Sequence, residues 1–535
     1  MPNNVGQMLP SGKDGTNLLS LMKRQPQSKR QSTLILGTSL LLFSQLIADD
    51  DAKPFTYPPL TKAPEYNWEN GPTALPSGFV FPDPSPVPPE DLDSLKISQS
   101  KVTSSEDAGK KTAETQKKFD LFSWATFMAL NWPANENGSP SVKHNILKEK
   151  EAKLSPRVWE SYMSPSQFFR EGHQPEPWGT PERERRSLRA NSKRTHILDE
   201  VDEAFFNLST PMPSITDLNN EYVRYEVRFN KVAYKSMQSL YSIEKQASQI
   251  AKYLGQHKDE TNIIDLFNFP EGAMELKVAW KKMGKDDTPS KFYTIEATVK
   301  DPSTHATSHG TYGMVGMHIM VRTASAPQWV WATFEHIDNS PRSFLPLKEG
   351  GIKPESGKKY SFWNKEGKHS YAGFDEDVYD TLTLLEGATK GNYYQEKESR
   401  KPSQITQAIT SNNDVITSKW TTHLNEVMRK KLQGTVWENY RLVSTQWPTD
   451  PVQKPSSAYP NPPGNPAPVS LGNPVMETYL QVNGSCMACH AGATVSNEVM
   501  KELKNRHNID FKGKVYTNFS FMLQRAKSES SPKSK

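Results

Sequence analysis

Apolar residues recur along the chain in two rhythms. From Phe119 to Trp132 (FDLFSWATFMALNW), Leu121, Trp124, Phe127, Met128 and Trp132 fall at helical spacing. That pattern predicts a buried helix, stopped by Pro133 and the turn-formers of 135–139. In the middle of the chain the period drops to two. Tyr225, Val227 and Phe229 share one face of a strand, as do Met274, Leu276, Val278 and Trp280, and again Tyr293, Ile295, Ala297 and Val299. A helix over 232–253 separates the first two of these strands. Tyr312–Thr323 and Gln328–Ile337 alternate in the same way and read as a hairpin joined by Ala324–Pro327. In that register His318 lies opposite Thr333 and Gly316 opposite Glu335. One face then carries His318, Met320, Trp331, Thr333 and Glu335. The other carries Val315, Met317, Ile319, Val321, Val330, Ala332, Phe334 and His336, a core-like set. A helix over 418–431 and a strand over 434–447 complete an α+β layout, an antiparallel β-meander body with packed helices.

Polar and proline-rich stretches divide this pattern. Residues 54–89 are proline-dense and predict an extended segment, and 101–118 are polar and solvated in character. The charged run 143–194 reads as a solvated excursion. A second proline-rich stretch, 448–474, separates the body from a short C-terminal segment. Near the start, Lys23, Arg24, Lys29 and Arg30 precede the apolar run Thr33–Ala48, and Asp49, Asp50 and Asp51 follow it. This is the pattern of a secretory signal peptide, with an uncleaved anchor as the alternative and Met22 as a second plausible start. The expected organisation is a leader at 1–48, a proline-rich and polar segment at 49–118, and the α+β body at 119–447. A connection at 448–474, a segment packed on the body at 475–527 and a frayed tail at 528–535 follow.

Charge changes meaning once the leader is set apart. The chain has 65 Lys and Arg against 60 Asp and Glu, a net +5. The leader holds five basic side chains against Asp14, so the mature part is nearly neutral and nucleic-acid binding is set aside. No apolar run reaches the ~18–20 residues of a bilayer span, so no transmembrane span is expected in the mature chain. Apolar residues make up 35% of the chain, about 40% with glycine, below the ~45–50% of ordinary globular chains.

The 2 cysteines of the chain are too few for a disulfide framework, and both sit in Cys486-Met487-Ala488-Cys489-His490. A helix is expected from Asn473, with Pro474 at its first position and Glu477 in its first turn, running through Val482 into this motif. In C-x-x-C-H the two thiols can form thioethers to the two vinyl groups of one haem. The adjacent histidine then lies beneath the porphyrin as proximal iron ligand. One covalent haem c at Cys486, Cys489 and His490 is therefore expected, in an exported, periplasmic protein. A structural zinc site, a thioredoxin-like redox pair and a plain local disulfide are the other readings of two such cysteines. Only 45 residues follow His490, too few for a self-contained haem module, so the haem must pack against the upstream body.

Residues for the opposite face of the haem are weaker candidates. His318 and Glu335 could serve as distal acid–base groups. His318, His336, Met500 and Met522 could supply a sixth ligand, although a histidine in such a hairpin or a methionine in such a helix is more often structural. Two functions follow. One is a mono-haem carrier of single electrons that meets a redox partner protein. The other is a haem enzyme (oxidase, peroxidase or small-nitrogen-compound oxidoreductase) with an open distal site and a small-molecule substrate. A haem-based ligand sensor is a third.

The chain resembles the large bacterial proteins grouped as a cytochrome c family by a single C-terminal haem motif. The stretches that carry the resemblance are Phe122–Pro133, Trp329–Asn339, Trp437–Pro448, Asn473–His490 and Asn518–Ala526. They are spread over most of the mature chain, and only the haem motif is chemically specific. The resemblance implies haem binding at Cys486, Cys489 and His490, and no particular reaction.

Overall fold

The computed structural model describes residues 105–135, 137–141, 144, 146, 156–180, 187–188, 215–263, 266–300, 307–345, 352–366, 402–410, 419–478, 481 and 484–530. The leader at 1–48 and the proline-dense 54–89 lie outside the described residues.

Six strands build the main sheet: β1 (Arg224–Phe229), β2 (Met274–Lys282), β3 (Thr294–Lys300), β4 (Thr307–Val321), β5 (Val330–His336) and β6 (Tyr440–Pro448). Across the sheet the order is β1-β2-β4-β5-β6, all antiparallel. A two-residue strand, Ser187–Leu188, adds a parallel pairing to β3. The fold is α+β with a mostly antiparallel open sheet, but it is not a simple meander, because β2 pairs with β4 instead of with β3. The cause is the 15-residue length of β4. One edge of β4 takes β3 along Thr307–Gly313 and β5 along Gly316–Val321, so its other edge takes β2. The β4–β5 register is the one that the alternation predicts, with His318 opposite Thr333 and Gly316 opposite Glu335.

One face of the sheet is covered by α1 (Ser105–Leu130) and, later in the chain, by a helix over Lys419–Lys431. Trp124, Phe127 and Met128 of α1 bury against Val278, Met317, Ile319 and Phe334. Phe127 stacks on Phe334 at 4.2 Å between ring centroids, and Trp124 meets the same ring edge-on at 5.0 Å. The helix α1 starts earlier than its apolar period implies. Its polar part is engaged by β6: Gln116 donates to the Thr445 carbonyl at 2.9 Å and accepts from the Trp447 indole at 2.8 Å.

Two other expectations change. The helix expected over 232–253 is two, α2 (Lys231–Met237) and α3 (Ile243–Gln256), because Ser242 caps α3 by accepting from the Lys245 amide. Within 143–194, residues 157–169 are not a solvated excursion. Trp159 and Phe168 are fully buried there, and the buried Arg157 guanidinium lies 5.1 Å over the Tyr293 ring and 5.4 Å over Trp437.

After α4 (Lys419–Lys431) and β6 the proline-rich 448–474 stretch lies along the body. Pro466–Ala467 pairs with the end of β6, and Asn465 accepts from the Thr449 amide. The last segment crosses the opposite face of the sheet. Its helices are α5 (Cys486–His490) and α6 (Asn497–His507), followed by a 3₁₀ turn over Phe521–Arg525. α6 packs on α3, and Met487, Val499, Leu503, Val515 and Leu523 join Met320 and Trp331 of the sheet in a second core. The segment packs against the upstream body, as its shortness requires. Among the described residues, no helix is long and apolar enough to cross a membrane.

Candidate functional site

The motif helix α5 is held at one end by the body and at the other by the proline-rich connection. The expected long helix from Asn473 does not form. Asn473 starts a turn over 474–477, but its side chain donates to Thr333 Oγ1 and to the Phe334 carbonyl, both at 2.9 Å, which pins it to the sheet. The helix proper begins afresh at Ser485, whose hydroxyl accepts from the Ala488 amide. Gln446 of β6, fully buried, completes the cap. Its Oε1 accepts from the Met487 amide at 2.9 Å and from Ser485 Oγ at 3.2 Å, while its Nε2 donates to the Pro468 carbonyl at 2.7 Å. At the other end Asn461 donates to the Ala491 carbonyl at 2.9 Å.

His490, last in the helix, is oriented from the C-terminal segment. Its Nδ1 lies 2.8 Å from the carbonyl oxygen of Phe519. A carbonyl only accepts, so Nδ1 carries a proton, and in the neutral ring Nε2 has the lone pair. This is the tautomer in which an imidazole ligates a metal through Nε2, with its other nitrogen fixed by a backbone oxygen. The carbonyl is aimed by a tight turn over 517–520, closed by the Ser520 amide on the Thr517 carbonyl. Its central residues, Asn518 and Phe519, have φ of 51° and 67°, the pattern of a type I′ turn. A phenylalanine there costs on the order of 1–2 kcal/mol. Trp329, at φ 67°, stands behind this turn, and its indole donates to the Asn518 carbonyl at 2.9 Å. The ring of His490 is flanked by Trp331 at 4.4 Å and Phe521 at 4.9 Å.

Cys486, Cys489 and His490 line one cleft, of about 1080 Å³ with its open mouth, between the C-terminal segment and the sheet. The two cysteines are not joined in a disulfide. The other walls are largely apolar: Val227, Met320, Trp331, Leu471, Phe521 and Met522. Charged groups also reach it, namely Glu275 and Lys277 from β2, His318 from β4, Glu477 and Arg525. Glu275 is buried and accepts from the Ser520 hydroxyl.

The candidates read from the sequence divide at this cleft. His318 and Met522 line it; Glu335, His336 and Met500 are not among its lining residues. Glu335 is fully buried, ion-paired to Arg441 at 2.8 Å, so the shared face with His318 does not bring it to the motif. His336 points to the opposite face, as the alternation predicts. It is stacked on Phe292 at 3.9 Å, donates Nε2–H to the Lys291 carbonyl and accepts at Nδ1 from the Asp338 amide. Burial pushes its pKa down to about 4, so it is a neutral structural residue. Met500 is half-buried on α6 against the second core. Lys277, Arg525 and Gln446 belong to the site through contacts that no motif in the sequence marks. Gln446 follows Ser444 and Thr445 in β6, so no break in an apolar run marks it. The sequence places Glu477 in the first turn of a helix, and its place in the cleft follows from the turn that replaces that helix.

Among the described residues, no group of three or more His, Cys, Asp and Glu side chains is arranged to hold a bare metal ion. No family model, no curated protein and no solved structure matches the chain.

Proposed function

We propose that the chain is an exported c-type cytochrome, carrying one covalent haem c and exchanging single electrons with a redox partner protein. The observation that carries this reading is the hydrogen bond from His490 Nδ1 to the Phe519 carbonyl, in a cleft that both motif cysteines also line. The residues fit the group. Two thiols outside any disulfide can form the thioethers, and a histidine with its lone pair on Nε2 can ligate iron. Apolar walls can cover a porphyrin, while Lys277 and Arg525 can meet its carboxylates. When bound, the haem supplies an iron centre with a one-electron couple.

The chain's own contribution is placement. Gln446 and Ser485 hold the motif helix, the Phe519 carbonyl sets the ring of His490, and Trp331 and Phe521 flank that ring. Export rests on the basic residues before Thr33–Ala48 and on the run itself. A potentiometric titration of the purified full chain, followed by its visible spectrum, tests the function. A reversible one-electron transition is expected; an iron that cannot be cycled between ferric and ferrous states would refute the redox role.

A further inference from the structure

The cleft holds a second chemical feature, which electron exchange does not need. His318 Nε2 lies 3.0 Å and 3.2 Å from the two carboxylate oxygens of Glu477. The carboxylate is itself anchored, since it accepts from the Asn473 amide at 3.0 Å, and Asn473 is fully buried and bonded to β5. An ionised carboxylate only accepts, so Nε2 donates, and in the neutral ring Nδ1 carries the lone pair. Among the described residues Nδ1 makes no hydrogen bond. The side chains of His318 and Glu477 are 19% and 18% exposed, so solvent and small solutes reach the pair.

We infer that His318, oriented by Glu477, accepts the proton of a small weak acid of the hydroperoxide class that enters this cleft to bind the iron. The inference rests on the haem reading above. A carboxylate behind an imidazole fixes its tautomer and stabilises the imidazolium that forms when the other nitrogen takes a proton. The transfer is balanced: the acid H–X gives its proton to Nδ1 and leaves X⁻ in the cleft, and the imidazolium is neutralised by Glu477. The other charged groups of the cleft set the sign of the environment. Lys277, paired across the sheet with His318, and Arg525 favour the anion. Glu275, held by Ser520, opposes it. The cleft would have to hold the haem as well, so the ligand must be small. An imidazole can relieve it of a proton only if it arrives protonated, as hydroperoxides and hydrogen cyanide do near neutral pH.

Cyanide is the probe, because it arrives as a neutral acid and binds ferric iron as an anion. Its association with the ferric haem-loaded full chain is followed by stopped-flow for the wild type, His318→Gln and Glu477→Gln. Loss of a proton-accepting base is expected to slow association about 10²-fold or more in His318→Gln. Glu477→Gln is expected to give a smaller loss and to shift the pH profile. Melting temperatures are taken in parallel, because a merely structural ion pair would lower them in both variants and leave association unchanged. Equal association rates in wild type and His318→Gln would overturn the inference. So would a wild type that takes up no cyanide because an internal ligand such as Met522 closes the iron; the mono-haem reading would survive that result. A chain that carries no haem would instead refute the reading itself.

Discussion

His490 donates from Nδ1 to the carbonyl of Phe519 at 2.8 Å, and Phe519 sits at φ 67°, where few residues other than glycine settle. A strained residue is thereby set to aim one backbone oxygen at one imidazole. The strain is supported from outside: Asn518 accepts from the Phe269 amide at 3.1 Å through its side chain and from the Trp329 indole through its carbonyl.

That support can be removed in steps. Asn518→Ala places a β-carbon without local hydrogen bonding in the left-handed region and strands the Phe269 amide. It should destabilise the protein by about 1–3 kcal/mol in denaturant unfolding and shift the reduction potential. Asn518→Gly keeps the turn and loses only the side-chain bond, so its effect on both readouts should be smaller. Equal effects would show that the turn's backbone strain is not what holds the carbonyl.

Gln446 connects the sheet, the motif helix and the proline-rich stretch. Gln446→Leu fills a similar volume but strands the Met487 amide and the Pro468 carbonyl, for a loss of about 2–4 kcal/mol in thermal or denaturant unfolding. Gln446→Glu keeps the acceptor for Met487 and loses the donor to the Pro468 and Val469 carbonyls. A Leu variant as stable as the wild type would remove Gln446 from the account.

Asp120 lies where α1 meets α4 and β6. It accepts from Thr421 at 2.6 Å and from Gln116 at 2.9 Å, and burial pushes its pKa up from 3.8 to about 6. The folded state therefore holds this proton more tightly than the unfolded chain. Its contribution to stability falls as pH rises from near 3.8 to about 6 and is level above that. Asp120→Asn can keep both hydrogen bonds if the Thr421 hydroxyl turns to accept. It should be more stable than wild type by roughly 1–3 kcal/mol well above pH 6, with the gain vanishing toward the acid end of that window. A gain independent of pH would contradict this origin.

His336 has the opposite sign. Its pKa falls from 6.5 to about 4, so the stability it contributes is complete above 6.5 and is lost as pH falls toward 4. His336→Gln should flatten that part of the profile. On the proposed haem reading the visible spectrum should be unaltered, because His336 faces away from the cleft; a changed spectrum would place it at the iron.

Much of this was legible in the chain because it is local. The alternation in β4 and β5 set their register, which depends on period and on the placement of one turn. The haem proposal rests on the spacing of Cys486, Cys489 and His490, a local signal that makes no reference to fold. What escaped depends on contacts far apart in sequence. β2 reaches β4 because β4 is long enough to serve three neighbours. Trp159 and Phe168 are buried although charged residues surround them in sequence, and Glu335 turns to Arg441, 106 positions away. Glu477 faces His318 because Asn473 is tied to the sheet before a helix can extend, a competition that helix propensity alone does not register.

The central claim is one haem bound through two thioethers in an exported chain, and intact mass spectrometry of the denatured, purified protein tests it most directly. The account predicts the mass of residues 49–535 plus one haem, with the haem lost in the Cys486→Ser, Cys489→Ser double variant. A wild-type mass equal to that of the bare polypeptide would contradict it.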